Sequence, residues 1–178
     1  HLTASKLAPY IYENNDTTYK TRGFLIASGT LAGEKVHFIV NHWPSRLGGE
    51  KQSRPKREAA AALTKHIADS VLTADPNSKV IIMGDLNDDP NNTSCKVVLG
   101  AKKDQKDVKP GGYYNTMWNF FDKGIGSLAY QGSWNLFDQI IISENFLCKD
   151  RFFRAKNAFV RLPNGKKRRF FKFFAKYI

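Results

Sequence analysis

The sequence predicts an α/β fold in one domain over residues 1–178, on three observations. Two runs rich in β-branched and aromatic residues, 21–30 (T-R-G-F-L-I-A-S-G-T) and 34–41 (E-K-V-H-F-I-V-N), flank a turn at Ala32-Gly33. Residues 53–72 change to a helical period, and residues 79–84 return to an apolar run. Strand, helix and strand in succession describe a layered α/β domain. With 178 residues, 42% hydrophobic and 13% aromatic, the chain can bury one core and is short for two domains.

Residues 1–20 are polar with Tyr10, Tyr12 and Tyr19 interleaved, and read as an approach loop. The two runs that follow are spaced for an antiparallel hairpin. The second ends in Asn41-His42-Trp43-Pro44-Ser45, which sets polar groups at a strand's C-terminal edge. Residues 46–51 form a Gly-containing loop able to border a cleft. Ser53 suits a helix N-cap, and Pro55 is tolerated in a first turn. Leu63, Ile67 and Val71 recur every fourth residue with Ala59 and Ala60 a turn earlier, so an amphipathic helix is expected to about Leu72. Asp75-Pro76-Asn77 ends it.

The stretch at 80–90, V-I-I-M-G-D-L-N-D-D-P, is the centre of the chain. An apolar run stops at Gly84 and opens into Asp85, Asn87, Asp88 and Asp89, the pattern of a buried strand that delivers polar groups at its edge. Asp85 offers charge to a hard cation or a nucleophilic water, and Asn87 can donate to a phosphate oxygen. An Asx-rich turn that merely caps a strand explains the acidic triplet equally well. Downstream, residues 94–99 suit a short helix, 101–112 a charged surface loop, and 113–121 an aromatic segment. Residues 127–134 then lead into a strand at 136–143 (L-F-D-Q-I-I-I-S) that contains Asp138.

Composition narrows the function classes. No apolar run approaches 18 residues, so no membrane span is expected. Cys95 and Cys148 are too few for a disulfide framework and wrongly spaced for a zinc site. The sequons at Asn15-Asp16-Thr17 and Asn91-Asn92-Thr93-Ser94 carry weight only in a secretory setting. Of the net charge of +12, residues 149–178 contribute +10, through 11 Lys or Arg against Asp150 alone. This basic aromatic tail, with Lys166-Lys167-Arg168-Arg169 and eight aromatic rings, has three readings. It could contact nucleic-acid phosphates while rings stack on bases, lie on an anionic membrane, or form an edge strand with a buried aromatic face. Membrane contact is the less favoured of the two binding roles.

Strand ends thus supply His42, Asp85 with Asn87, and Asp138. Singly, each has a dull explanation as a packed or paired polar group. Together, imidazole, carboxylate and carboxamide at strand ends are what metal-assisted phosphoryl hydrolysis requires.

Three ordered motifs, N-H-W-P-S at 41–45, G-D-L-N at 84–87 and S-W-N-L-F-D-Q-I at 133–140, resemble those of the endonuclease/exonuclease/phosphatase (DNase I-like) superfamily. The resemblance runs from about Arg22 to Ser143 and implies a four-layer α/β sandwich and Mg²⁺- or Mn²⁺-dependent cleavage of a phosphate ester. It implies that His42 contacts the scissile phosphate, that Asp85 orients or deprotonates the attacking water or binds metal, and that Asn87 hydrogen-bonds the phosphate. Asp85 and Asn87 are the implied metal-side residues. Asp138 would buttress a second histidine. Arg46, Trp134 and Asn135 adjoin motif residues and are candidates to face the substrate.

The sequence departs from the family pattern at both ends. The family's N-terminal Asn and principal Glu ligand have no counterpart in residues 1–20, and no histidine follows Asp138. The 178 residues are therefore expected to be the C-terminal half or more of such a domain, with weak or no catalysis by themselves. The competing expectation is a catalytically inactive phosphate- or nucleic-acid-binding module. Export is a possible destination on family grounds, and no signal-peptide pattern is expected at the start of these residues. The motifs do not choose among DNA, RNA, inositol phosphate and phospholipid, since loops around a shared core decide that.

Overall fold

Alternating apolar positions build β2 (Phe24–Leu31) and β3 (Glu34–His42), which pair antiparallel from Leu25 with Val40 to Leu31 with Glu34. The predicted hairpin is present, and its second strand extends to His42. The computed structural model describes residues 1–8, 22–31, 33–130 and 132–147, with the backbone of short strands at 153–155, 160–161, 167–168 and 173–175. A further strand, β1 (Leu2–Ala8), lies antiparallel on the outer edge of β2, with a bulge between Leu2 and Ala4. The expected approach loop is thus partly a strand. β1 is exposed from residue 2 to residue 7, so it needs no apolar alternation; the unpaired edge of β2 supplies its hydrogen bonds. Tyr10, Tyr12 and Tyr19 lie outside the described residues.

Helix α1 (Glu50–Ala74) begins earlier than expected, with Gly49 at its cap. Ser53 sits inside it and donates its hydroxyl to Gly49 O at 2.7 Å, and Pro55 lies beyond the first turn. The face against the sheet is Ser53, Arg57, Ala60, Ala61, Thr64, Ala68 and Leu72, spaced three to four residues apart. Leu63, Ile67 and Val71, the expected stripe, pack on its flanks. Small side chains along the centre line let the helix axis approach the strands, and the larger ones fill the sides.

α1 returns the chain to β4 (Lys79–Asp85), which pairs parallel to β3 from Val36 with Lys79 to His42 with Asp85. Lys79 is fully buried and is ion-paired with Glu34. Of residues 94–99, read as a short helix, Ser94–Val98 form a single wide turn. There follow β5 (Tyr113–Asn115), a one-turn α2 (Trp118–Phe121), the ribbon of β6 (Leu128–Tyr130) and β7 (Ser133–Asn135), and β8 (Asp138–Ser143). β8 lies antiparallel between β4 and β5, which gives the sheet order β1-β2-β3-β4-β8-β5.

The central strands of the sheet are covered on one face. Phe24, Ile39, Val80, Ile82 and Ile141 meet α1, Leu86, Cys95 and Leu99 there, all at 1% exposure or less. On the other face, Val36, Ile81, Tyr114, Ile142 and Phe146 are buried, while Phe38, Met83 and Ile140 are only partly so. Helix layer and six-stranded sheet are two of the layers that a four-layer sandwich requires, and among the described residues no other sheet has more than two strands. In the tail, β9 (Phe153–Ala155) pairs with β12 (Phe173–Ala175), and β10 (Val160–Arg161) pairs with β11 (Lys167–Arg168), as antiparallel ribbons. The tail's side chains, and with them its charge and aromatic readings, lie outside the described residues. No helix among the described residues is long and apolar enough to cross a membrane.

Candidate active site

Strand register sets His42, Asp85 and Asp138 in one line across the sheet. His42 is the partner of Asp85 in the parallel ladder, and Asp85 is the partner of Asp138 in the antiparallel one. Directly paired residues share a face. Counting by twos from Val40, Met83 and Ile140, that face is the one opposite α1. Asp138, expected within its strand, is the first residue of β8 and is exposed. His42 Nε2 stands 3.6 Å from Asp85 Oδ2, and the two side chains are 41% and 34% exposed, open enough to meet a substrate.

Gly84 makes this close row possible. Its φ is +126°, and a Cβ there would lie 2.0 Å from Asn41 O. Only glycine accepts both conditions. Beyond it the ladder is extended by Trp43 N–H donating to Asp85 O at 2.9 Å and Leu86 N–H to Phe137 O at 2.8 Å. Asn87 follows with a left-handed φ of +51°, which asparagine tolerates. Its backbone N–H donates to Asp85 Oδ1 at 3.0 Å, and its Nδ2 donates to Trp43 O at 2.9 Å. The Asx turn is present, and it aims the carboxamide across the end of β3. Trp43 is buried, its indole N–H held by Asn41 Oδ1 and Thr64 Oγ1.

The rest of the acidic loop is structural. Asp88 is buried and accepts from Ser94 Oγ at 2.7 Å and Arg46 at 3.1 Å, while Arg57 Nε lies 2.7 Å from its Oδ1. Asp89 accepts the backbone N–H of Leu136 at 2.7 Å, and burial pushes its carboxyl above the usual range. Arg46 also donates to Asn87 O and Asn92 Oδ1 and lies 4.5 Å from the Phe137 ring. Its guanidinium, a candidate for substrate contact, is committed to holding this loop. Trp134 and Asn135 stand in the β6/β7 ribbon, where Trp134 is 60% exposed. The root of the ribbon is fixed beside the row, because Ser127 Oγ accepts the backbone N–H groups of Phe137 and Asp138. A largely apolar cavity of about 340 Å³ reaches Asp138 from Met83, Met117, Leu136 and Ile140. Cys95 is no nucleophile: burial pushes its thiol up to about 12.

One residue escaped the sequence reading. Arg22, just before β2, has a guanidinium nitrogen 2.7 Å from His42 Nε2. Arginine has no acceptor, so in this pair Nε2 accepts. Nε2 of His42 is thus shared between the Arg22 guanidinium and, at 3.6 Å, the Asp85 carboxylate. Arg22 lacks a motif of its own; only its position one strand away from His42 reveals it.

Asp85 and Asp138 on one face are two carboxylates for a hard cation, and among the described residues no third His, Cys, Asp or Glu completes a cluster. That donor set fits Mg²⁺, which keeps several waters and is often held by one or two carboxylates together with substrate phosphate. It does not fit Zn²⁺, which takes three or four protein ligands.

Sheet topology and a polar row at strand ends define a mixed α/β domain of the DNase I-like type. Over residues 1–164 the chain matches the Endonuclease/Exonuclease/phosphatase family, and it belongs to that family. No curated protein sequence matches it. Truncated Caenorhabditis elegans TDP2 is similar in structure at 17% identity and a TM-score of 0.56, over 98% of this chain and 66% of that one. D. rerio TDP2 complexed with single-strand DNA product is similar at 15% identity and a TM-score of 0.55, over 93% and 63%. Sphingomyelinase C from Streptomyces griseocarneus is similar at 15% identity and a TM-score of 0.51, over 98% and 65%. The chain spans just under two thirds of the length of these solved structures.

Proposed function

We propose that this chain carries the phosphate-binding half of a metal-dependent phosphoester hydrolase, phosphodiesterase or nuclease-like. The observation that supports it is the row His42–Asp85–Asp138, adjacent in register with Asn87 folded over its end. In this reading Arg22 and His42 bind and orient a phosphate oxygen, and Asn87 donates a hydrogen bond to it. Asp85 accepts a proton from, or orients, the attacking water, and Asp138 faces the same space. Mg²⁺ or Mn²⁺, held by Asp85 with Asp138 or Asn87, would supply Lewis-acid stabilisation of charge on the phosphoryl oxygens. Nucleic acid is the favoured substrate class, supported by family membership and by the fold shared with a DNA-complexed structure.

A second reading, an inactive phosphate- or nucleic-acid-binding module, draws on the absence of a third metal ligand among the described residues. One experiment separates the two. Hydrolysis of bis-p-nitrophenyl phosphate and plasmid DNA is measured with Mg²⁺ or Mn²⁺, for this chain, for any longer gene product containing it, and for Asp85→Ala in each. Turnover abolished by Asp85→Ala supports the hydrolase. DNA binding without turnover of either substrate in any form leaves the binding module.

A further inference from the structure

We propose that Arg57, buried in α1, is a positioning residue that couples the two loops of the site, acting on Asn87 through Asp88. The proposal rests on the role given to Asn87 above. Three observations carry it.

First, Arg57 is fully buried, and its guanidinium reaches both site loops. On the β3 side it donates to Ser45 O at 3.5 Å, and within its own helix Glu50 O at 3.3 Å and Ser53 Oγ at 2.7 Å steady it. On the β4 side its Nε stands 2.7 Å from Asp88 Oδ1, a charge contact without hydrogen-bond alignment. Second, Asp88 is itself 1% exposed and sits next to Asn87. Its carboxylate takes Arg57, Arg46 and Ser94, and its carbonyl accepts from Gln139 Nε2 at 2.6 Å. The residue after Asn87 is therefore fixed on every side. Third, Asn87 sits at a left-handed φ of +51°, which asparagine tolerates at a cost that its surrounding contacts offset.

A buried ion pair is weak evidence for stability alone, because desolvation offsets much of its attraction. A hydrophobic pair would hold α1 to the sheet as well. The buried charge instead defines where one carboxylate sits, and so where the carboxamide before it points. Arg57 touches no substrate in this arrangement; it sets the distance between the His42 and Asn87 ends of the site.

The test uses Ser94→Ala, Asp88→Asn, Arg57→Lys and Arg57→Met in this chain, read in two ways. The side-chain amide resonances of Asn87 and their exchange with solvent report the bond to Trp43 O. Kinetics on bis-p-nitrophenyl phosphate with Mg²⁺ report the site. Expected are shifted Asn87 resonances and at least tenfold faster exchange in Arg57→Met and Asp88→Asn, smaller changes of the same sign in Ser94→Ala, and partial recovery in Arg57→Lys. With turnover, kcat falls about tenfold or more while KM changes less than threefold. Folded variants with unchanged Asn87 resonances and unchanged kcat overturn the proposal. If wild type shows no turnover, the resonances alone decide, and the hydrolase reading fails only if a longer gene product containing this chain is inactive as well; Ser94→Ala, which removes a single hydroxyl, keeps the decision on Arg57 open if the charge variants do not fold.

Discussion

His42 and Asp85 are register partners at the ends of parallel strands β3 and β4, and their Nε2 and Oδ2 atoms stand 3.6 Å apart. That separation is too long for a direct hydrogen bond. With Nε2 already accepting from Arg22, the pair faces outward as an imidazole and a carboxylate available to a third group. Substitution here should affect chemistry far more than folding. His42→Ala and Asp85→Asn are expected to lower kcat/KM on bis-p-nitrophenyl phosphate by about 100-fold or more, with Tm little changed because both side chains are part exposed. Turnover within threefold of wild type in both variants would remove these residues from the mechanism.

Arg22 extends the same site. Arg22→Ala should raise KM, or the inhibition constant for inorganic sulfate, about tenfold, the worth of roughly 1.4 kcal/mol. Arg22→Lys should recover only part of this, since lysine lacks the planar fork. Equal anion affinities in wild type and Arg22→Ala would confine Arg22 to a structural contact with His42.

Gly84 admits no side chain. Its left-handed φ acts together with the main chain opposite, since an added Cβ would stand only 2.0 Å from Asn41 O. Backbone strain alone is about 1–3 kcal/mol, and the clash with main chain adds to it. Gly84→Ala should therefore be insoluble or melt many degrees below wild type by circular dichroism. A soluble variant with wild-type Tm would show that β3 and β4 can separate at this point.

The two faces of β4 should respond differently to truncation. Ile82 is fully buried under α1, whereas its neighbour Met83 is part exposed on the opposite face. Ile82→Ala should cost about 2–5 kcal/mol by urea unfolding, and Met83→Ala clearly less. Equal losses would mean that both faces are equally covered in solution.

His37 links stability to pH. Burial, with Lys35 adding to it and Asp75 opposing it, holds its imidazole below the ordinary 6.5, and its Nδ1 is bonded to Ser28 Oγ at 2.8 Å. A lowered folded value means that the unfolded chain binds the proton more readily. The contribution of neutral His37 is thus complete above pH 6.5 and is lost as pH falls through the folded value. His37→Gln should flatten the decline of unfolding free energy below pH 6.5. Parallel curves for wild type and variant would assign that decline to other groups.

Local patterns in the sequence determined the α/β class, the hairpin, the long helix, the strand at 79–85 and the order of the motif residues. Period, turn residues and apolar runs act over a few positions, so they can be read without knowing what packs against them. What lacked such a signal was decided by the tertiary structure. β1 exists because β2 has an open edge, and the helix centres Ala60, Ala61 and Thr64 on the sheet, with Leu63, Ile67 and Val71 at its flanks, because the sheet beneath demands a close approach. Register, a non-local property, aligned His42, Asp85 and Asp138 and brought Arg22 to His42. Side-chain direction separated Arg46 and Arg57, drawn inward by Asp88, from the residues that face solvent. Long-range pairing costs loop entropy and is settled by the whole set of contacts at once, which is why no stretch of the chain announces it alone.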